Sequence, residues 1–276
     1  MGKKLSQAQV AGFHEQGFLY PIAALSSEQA TTYLRKLQAA EAINAGGMGR
    51  SFNSKAHLLF KWADEIIRNS EVVDAIEDLL GPNIRVLHTT LWPKNPHDGT
   101  YVSWHQDGTY FGLEPATQVT AWVALSDAPV QAGCMEVVPG SHLLGELHHG
   151  ELASSTNLLS KGQTIDVEFD QSRTEFMPLL AGQFSLHHTH LVHSSGPNRC
   201  DYRRVGFGIV YVSTDVRCTS STRLSGTLVR GVDEYGHFDD EQPPQGDYGS
   251  AEQARAREAM ARFKSSNEEQ AARHTR

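Results

Sequence analysis

The chain has 276 residues, 39% of them hydrophobic and 20% charged, which suffices for one large core and is far from the composition of a disordered chain. A formal charge of −8 without any run of lysines and arginines excludes a phosphate backbone as partner, and no apolar stretch reaches the roughly 18–20 residues of a membrane span. Three cysteines without CxxC spacing and a polar start without the apolar core of a secretory signal point to the cytoplasm. The first six residues match the myristoylation pattern at Gly2, although an ordinary N-terminus is the simpler reading.

In chain order, apolar spacing predicts a short helix from Ser6 to Gly17, then the apolar stretch Phe18-Leu19-Tyr20. Ser26 or Ser27 caps a longer helix towards Ile43, ended by Gly46-Gly47. Further helices follow over Leu58 to Arg68 and Ser70 to Leu80, the last stopped by Gly81-Pro82. The period then changes to two: Ile84, Val86, His88, Thr90 and Trp92 alternate with their neighbours as in a strand. Strand-like runs recur at Tyr101 to Gln106, Val119 to Leu125, Cys134 to Val138, Thr164 to Phe169, Gly182 to His188 and Val205 to Ser213. Many strands in one block favour a mainly β sandwich or jelly roll with helical additions. Gly236 to Gly249 reads as loop, and Ser250 to Phe263 as a helix with little apolar face, suited to surface cover. One domain over 1–276 is expected, helical over about 6–81, with its β core at about 83–215 and loop and helix over 216–276.

Two stretches carry the chemistry. His105 and Asp107, two apart in a strand, aim an imidazole and a carboxylate at one point. A non-haem Fe(II) facial triad needs one more histidine. The run from His187 to His193 holds four, His187, His188, His190 and His193, and spacing does not choose among them. Downstream, Arg204, Gly206 and Gly208 share a strand face, where the glycines leave room for a ligand beneath a guanidinium. A buried arginine without a partner costs about 3–5 kcal/mol, so the pattern implies an acidic guest.

These residues resemble the phytanoyl-CoA dioxygenase-like branch of the Fe(II)/2-oxoglutarate oxygenases. The likeness runs through Trp104-His105-Gln106-Asp107, Thr120 to Leu125, Gly133 to His142, His193 to Asn198 and Arg203-Arg204, covering residues 8 to 215. It implies a double-stranded β-helix (cupin-like jelly roll) with the N-terminal helices packed on it. His105, Asp107 and His193 become the catalytic iron ligands, Arg204 the partner of the distal carboxylate of 2-oxoglutarate, and Ser195 and Trp122 neighbours of that co-substrate. Fe(II), 2-oxoglutarate and O2 follow as cofactors, with ascorbate a candidate reductant, and a small-molecule substrate as partner of a monomer or homodimer. Related halogenases have Ala or Gly in place of the carboxylate, so Asp107 argues for hydroxylation of a C–H bond. Desaturation, cyclisation or halogenation on the same scaffold and a non-catalytic metal-binding jelly-roll sensor remain the alternatives.

On the bland side, His187, His188 and His190 read as structural or ligand-supporting, His142, His148 and His149 as a turn with a solvated edge, and Arg203 as a surface charge. Substrate recognition falls to Asn53, Lys55, His57, Tyr110, Phe111 and the segment from Leu143 to Leu159.

Overall fold

The computed structural model describes residues 2–44, 50–151, 154–159, 163–165 and 170–274. α1 (Gln7–Gln16) starts on a capping box: the Ser6 hydroxyl accepts from Gln9 N while the Gln9 side chain accepts from Ser6 N. It ends at Gly17, whose φ of 85° suits glycine. α2 (Ser27–Ile43) repeats the box with Ser26 and Gln29; its expected stop, Gly46-Gly47, lies outside the described residues. A short α3 (Arg50–Asn53) follows. The single helix expected over Leu58 to Arg68 is broken into α4 (Ala56–Leu59) and α5 (Lys61–Ile67). Phe60 between them is extended, which lets its ring pack on Phe52 and Trp62 with no solvent exposure. α6 (Ser70–Leu80) is capped by the Asn69 side chain and stops at Gly81.

The strands of the two larger sheets are β1 (Phe18–Ala23), β2 (Ile84–Lys94), β3 (Val102–His105), β4 (Val119–Ala124), β5 (Met135–Val137), β6 (Glu175–Met177), β7 (Gln183–His188), β8 (His193–Ser195), β9 (Arg204–Ser213), β10 (Ser225–Arg230) and β11 (Asp239–Asp240). The seven-stranded sheet has the order β1-β7-β4-β9-β2-β10-β11 and the four-stranded one β3-β8-β5-β6. Pairing is antiparallel except between β10 and β11. The run expected from Thr164 to Phe169 appears as a strand over Gln163–Ile165, with 166–169 outside the described residues. β10 extends the sheet past residue 215, where loop was expected. Its Ser225 and Thr227 read as turn residues, yet both are buried, their hydroxyls donating to Glu241.

β4 is buried at every position and β9 at all but its last, so both faces of the large sheet are covered. On the outer face Val119, Ala121, Val123, Phe207, Ile209 and Tyr211 pack against Trp62, Ile66, Val72 and Ile76 of the helices. The inner face carries His88, Thr90, Trp92, Lys94, Thr120, Trp122, Arg204, Gly208 and Val210 and lines a cavity. This is the mainly β jelly-roll architecture expected, with helices on its outer side. No described helix is long and apolar enough to cross a membrane.

α7 (Ser250–His274) is longer than expected and is not simply surface cover. Glu252, Ala256, Ala259, Ser266 and Gln270 are buried, a stripe of spacing three and four whose small and polar members hide it from a hydropathy reading. Met260 and Phe263 reach the cavity.

Of the inner-face glycines, Gly206 leaves its space to a tryptophan, whereas Gly208 lines the cavity. A Cβ on Gly206 would lie 1.8 Å from the Trp122 indole, and one on Gly208 3.1 Å from Trp92 Nε1. Gly206→Ala is therefore expected to lower stability by about 1–3 kcal/mol or more through overpacking. Urea denaturation measures it, and an unchanged midpoint would contradict the seating of Trp122.

Candidate active site

His105 and Asp107 do converge, though not by strand alternation. β3 ends at His105, and Asp107 opens a 3-10 turn over Asp107–Tyr110. Gln106 between them is fully buried and ties this corner down: its Nε2 donates to the carbonyls of Gly145 (2.9 Å) and His190 (2.6 Å), and its Oε1 accepts from Leu147 N (2.8 Å). β8 pairs with β3 so that His193 stands opposite His105, ring centroids 4.1 Å apart. Asp107 Oδ1 is 3.5 Å from His105 Nε2 and 3.8 Å from His193 Nε2. Three ligand atoms within 4.8 Å of one another could hold a metal ion.

Hydrogen bonds fix which atoms face inward. His105 Nδ1 lies 2.9 Å from the Ser103 carbonyl and His193 Nδ1 2.9 Å from the Leu191 carbonyl. A carbonyl only accepts, so each Nδ1 carries the proton and each Nε2 presents a lone pair. Burial, and then the neighbouring His105, push the basicity of His193 well below the usual imidazole range, which keeps it neutral for ligation. Asp107 Oδ2 accepts from Thr120 Oγ1 (2.8 Å) and from His187 Nε2 (3.1 Å), leaving Oδ1 to the histidine pair. Burial opposes ionisation of Asp107, but the opposing effects, among them the hydrogen bond from His187, outweigh it and hold the carboxyl well below its ordinary range.

At the other end of the inner face lie two buried basic side chains. Arg204 donates to the carbonyls of Gly133 (2.7 Å) and Trp92 (3.2 Å) and to Ser195 Oγ (3.0 Å), and its guanidinium sits 5.2 Å from the Trp122 ring centroid. Across the strand pair from it stands Lys94, fully buried, donating to Ser195 O (2.9 Å), Gly196 O (2.5 Å) and Ser195 Oγ. Among the described residues no carboxylate is ion-paired to either. Cys134 nearby is pushed up to about 11 by burial and stays a thiol. Lys94 was missed in the sequence because the alternation of β2 was followed only to Trp92; carried two residues further, the same period puts it on the inner face.

One cavity of about 380 Å³ joins the two ends, lined by all six residues expected at the site, His105, Asp107, His193, Arg204, Ser195 and Trp122. Of the recognition candidates, Asn53, Phe111, Leu158 and Leu159 line it. Lys55 and His57 do not: they hold Glu241, at 2.5 Å and 2.9 Å, in a buried cluster that secures the segment leading to α7. The Tyr110 side chain lies outside the described residues. His142 and His149 are not a solvated edge: His142 is buried, 3.0 Å from the His14 carbonyl, and His149 Nε2 accepts from Gln106 N at 3.0 Å. Arg203 is no free surface charge, since Glu41 of α2 takes both its terminal nitrogens.

The sequence family described as Phytanoyl-CoA dioxygenase (PhyH) matches residues 13–206. The chain belongs to this family. Curated proteins resemble it over shorter stretches: a probable alpha-ketoglutarate-dependent hypophosphite dioxygenase of Stutzerimonas stutzeri is 30% identical over 161 residues, 58% of this chain and 56% of that protein. A probable phytanoyl-CoA dioxygenase of Caenorhabditis elegans is 32% identical over 155 residues, 52% of this chain and 49% of that protein. The chain thus spans about half the length of these curated relatives. The solved structure of the non-heme monooxygenase ThoJ in its apo form superposes with a TM-score of 0.86 at 32% identity, covering 96% of this chain and 99% of that one.

Thr120→Val removes the hydroxyl that orients Asp107 while keeping the shape of the side chain. It is expected to weaken Mn(II) binding about 10–100-fold in a calorimetric titration. Wild-type affinity in the variant would show that Thr120 does not position the carboxylate.

Proposed function

We propose that this chain is an Fe(II)- and 2-oxoglutarate-dependent dioxygenase that hydroxylates an unactivated C–H bond of a small metabolite, releasing succinate and CO2. The observation that carries the reading is a cavity with a His-Asp-His group at one end and the buried Arg204 and Lys94, unpaired with any described carboxylate, at the other. A dicarboxylic keto acid has the matching polarity: a chelating end for a metal and a carboxylate for Arg204 and Lys94. Family membership and the relatives' names support the same chemistry.

His105, Asp107 and His193 would hold the iron, and Arg204, Lys94 and Ser195 the far carboxylate. When bound, iron with 2-oxoglutarate and dioxygen supplies the oxidising power for C–H cleavage. Of the chain's own groups, Thr120 and His187 fix the carboxylate oxygen that does not face the histidines. Trp122 fills the space above Gly206, and Trp92 packs close to Gly208. The carboxylate of Asp107 occupies the position a halide would need, which favours hydroxylation over halogenation.

Purified protein with Fe(II), ascorbate and 2-oxoglutarate is expected to form succinate slowly without substrate, and His105→Ala to abolish this. Arg204→Ala should raise the KM for 2-oxoglutarate about 10–100-fold, as for loss of a charge-assisted hydrogen bond. No consumption of 2-oxoglutarate across a metabolite panel would sink the proposal, and a product heavier by one oxygen would separate hydroxylation from desaturation or cyclisation.

Lys94 adds a pH signature. Burial, and then Arg204 beside it, push its ammonium down to about 6, so in the free protein it is mostly neutral at pH 7.5. A bound carboxylate raises that value, so binding takes up a proton and affinity for 2-oxoglutarate falls as pH rises above about 6. Calorimetry at pH 7.5 in buffers of different ionisation enthalpy should detect up to about one proton taken up, lost in Lys94→Met.

A further inference from the structure

Beyond the two ends that metal and co-substrate would claim, the cavity has a third wall. It is built from His88 and Val210 of the sheet, Phe111, and Met260 and Phe263 of α7. Val210 pairs with both His88 and Thr120, so this wall stands at the level of the sheet that holds Asp107, about 20 Å along β2 from Lys94 at roughly 3.3 Å per residue. The His88 ring stacks on Phe263 (centroids 4.5 Å, interplanar 29°) and meets the edge of Phe111 (5.9 Å, 68°), while Phe111 and Phe263 lie 5.3 Å apart. Val102, Leu158 and Leu159 complete an apolar surround.

We propose that this chamber binds the flat, uncharged ring system of an aromatic or conjugated substrate carrying one hydrogen-bonding group, which His88 holds. The inference deepens the oxygenase reading and rests on it. Aromatic faces and edges favour a flat apolar guest by offset and edge contacts. His88 supplies the polar contact: it is buried, its Nδ1 has no hydrogen-bond partner, and a half-turn of the ring keeps its stacking on Phe263 while presenting the other edge. Burial, and then the charges of Lys55 and His57, push its basicity down to about 3, so it meets the guest as a neutral donor and acceptor. Charge selection follows from the lining. Among the described residues of the cavity wall the acidic and cationic side chains are Asp107, Lys94 and Arg204, already committed to metal and co-substrate, so a charged substrate group would be desolvated without a partner. A volume of about 380 Å³ is also near the lower end of small-molecule sites, about 300–1,000 Å³, and too small for a coenzyme-sized guest.

The test uses full-length protein loaded with Mn(II) and 2-oxoglutarate, which blocks Arg204 and Lys94, and titrates 2-naphthol, naphthalene and 2-naphthoate by calorimetry or naphthyl fluorescence. The expected order is 2-naphthol first, with 2-naphthoate at least tenfold weaker. His88→Phe, which keeps the stacking and removes the nitrogens, should weaken 2-naphthol about tenfold and leave naphthalene unchanged, with His88→Gln in between. Phe263→Ala should weaken both neutral probes. The proposal is overturned if 2-naphthoate binds as tightly as 2-naphthol, if neither neutral probe binds, or if His88→Phe leaves their ratio unchanged. The first two comparisons need only wild-type protein. A separate titration of 2-oxoglutarate into the Mn(II) form tests the oxygenase reading, and the naphthol-to-naphthalene ratio measured without 2-oxoglutarate tests the chamber alone, so the two failures are distinguishable.

Discussion

Lys94 and Arg204 face each other across β2 and β9 without solvent and without a described carboxylate partner. Taking a charge out of water is costly, and neutral oxygens recover only part of the loss. Several pieces of local geometry follow from supplying those oxygens. The carbonyls of Ala132 and Gly133 turn towards the guanidinium, and those of Ser195 and Gly196 towards the ammonium. Bringing these two loops together requires glycine at 133: its φ is 68°, and a Cβ there would lie 2.1 Å from Gly196 O. β8, which carries His193, runs straight into this loop contact at Ser195. These two buried basic side chains thus fix the strand that supplies one end of the metal group, and a ligand carboxylate is the group that would relieve the cost of burying them.

Much of this was legible in order but not in detail. The period-two run from Ile84 to Trp92 and the glycines at 206 and 208 marked the inner face correctly, yet Gly206 makes room for the Trp122 indole, while Gly208 lines the cavity. A sequence does not show which partner fills the gap above a glycine. His105 and Asp107 looked like strand neighbours and meet through a 3-10 turn, because the anchoring contacts of Gln106 come from residues some forty and eighty positions away. Among four candidate histidines, spacing could not separate His193, on β8 opposite His105, from His187, which holds Asp107 from the β7 side. The resemblance to a family chose between them; the distances then gave His187 its supporting part. α7 hid because alanine, serine and glutamine can form a buried stripe without raising the mean hydropathy of the helix.

The boundary of the family match divides the protein in a physically meaningful place. Residues 13–206 contain His105, Asp107, His193, Lys94, Ser195, Trp122 and Arg204, the groups suited to metal and co-substrate. Val210, Met260 and Phe263 lie beyond it, and with His88 and Phe111 they wall the rest of the cavity. A reaction that depends on three ligands and an anion clamp tolerates little change in their mutual placement, since misplacement by about 1 Å can cost a hundredfold in rate. A wall made by a terminal helix is under no such constraint: α7 packs on the core through Ala256 and Ala259, and the segment leading to it is held by the Lys55-His57-Glu241 cluster, so its inward side chains can change without moving the ligands. Such a division would let one interior serve different guests, with the choice of guest left to residues that take no part in holding the metal.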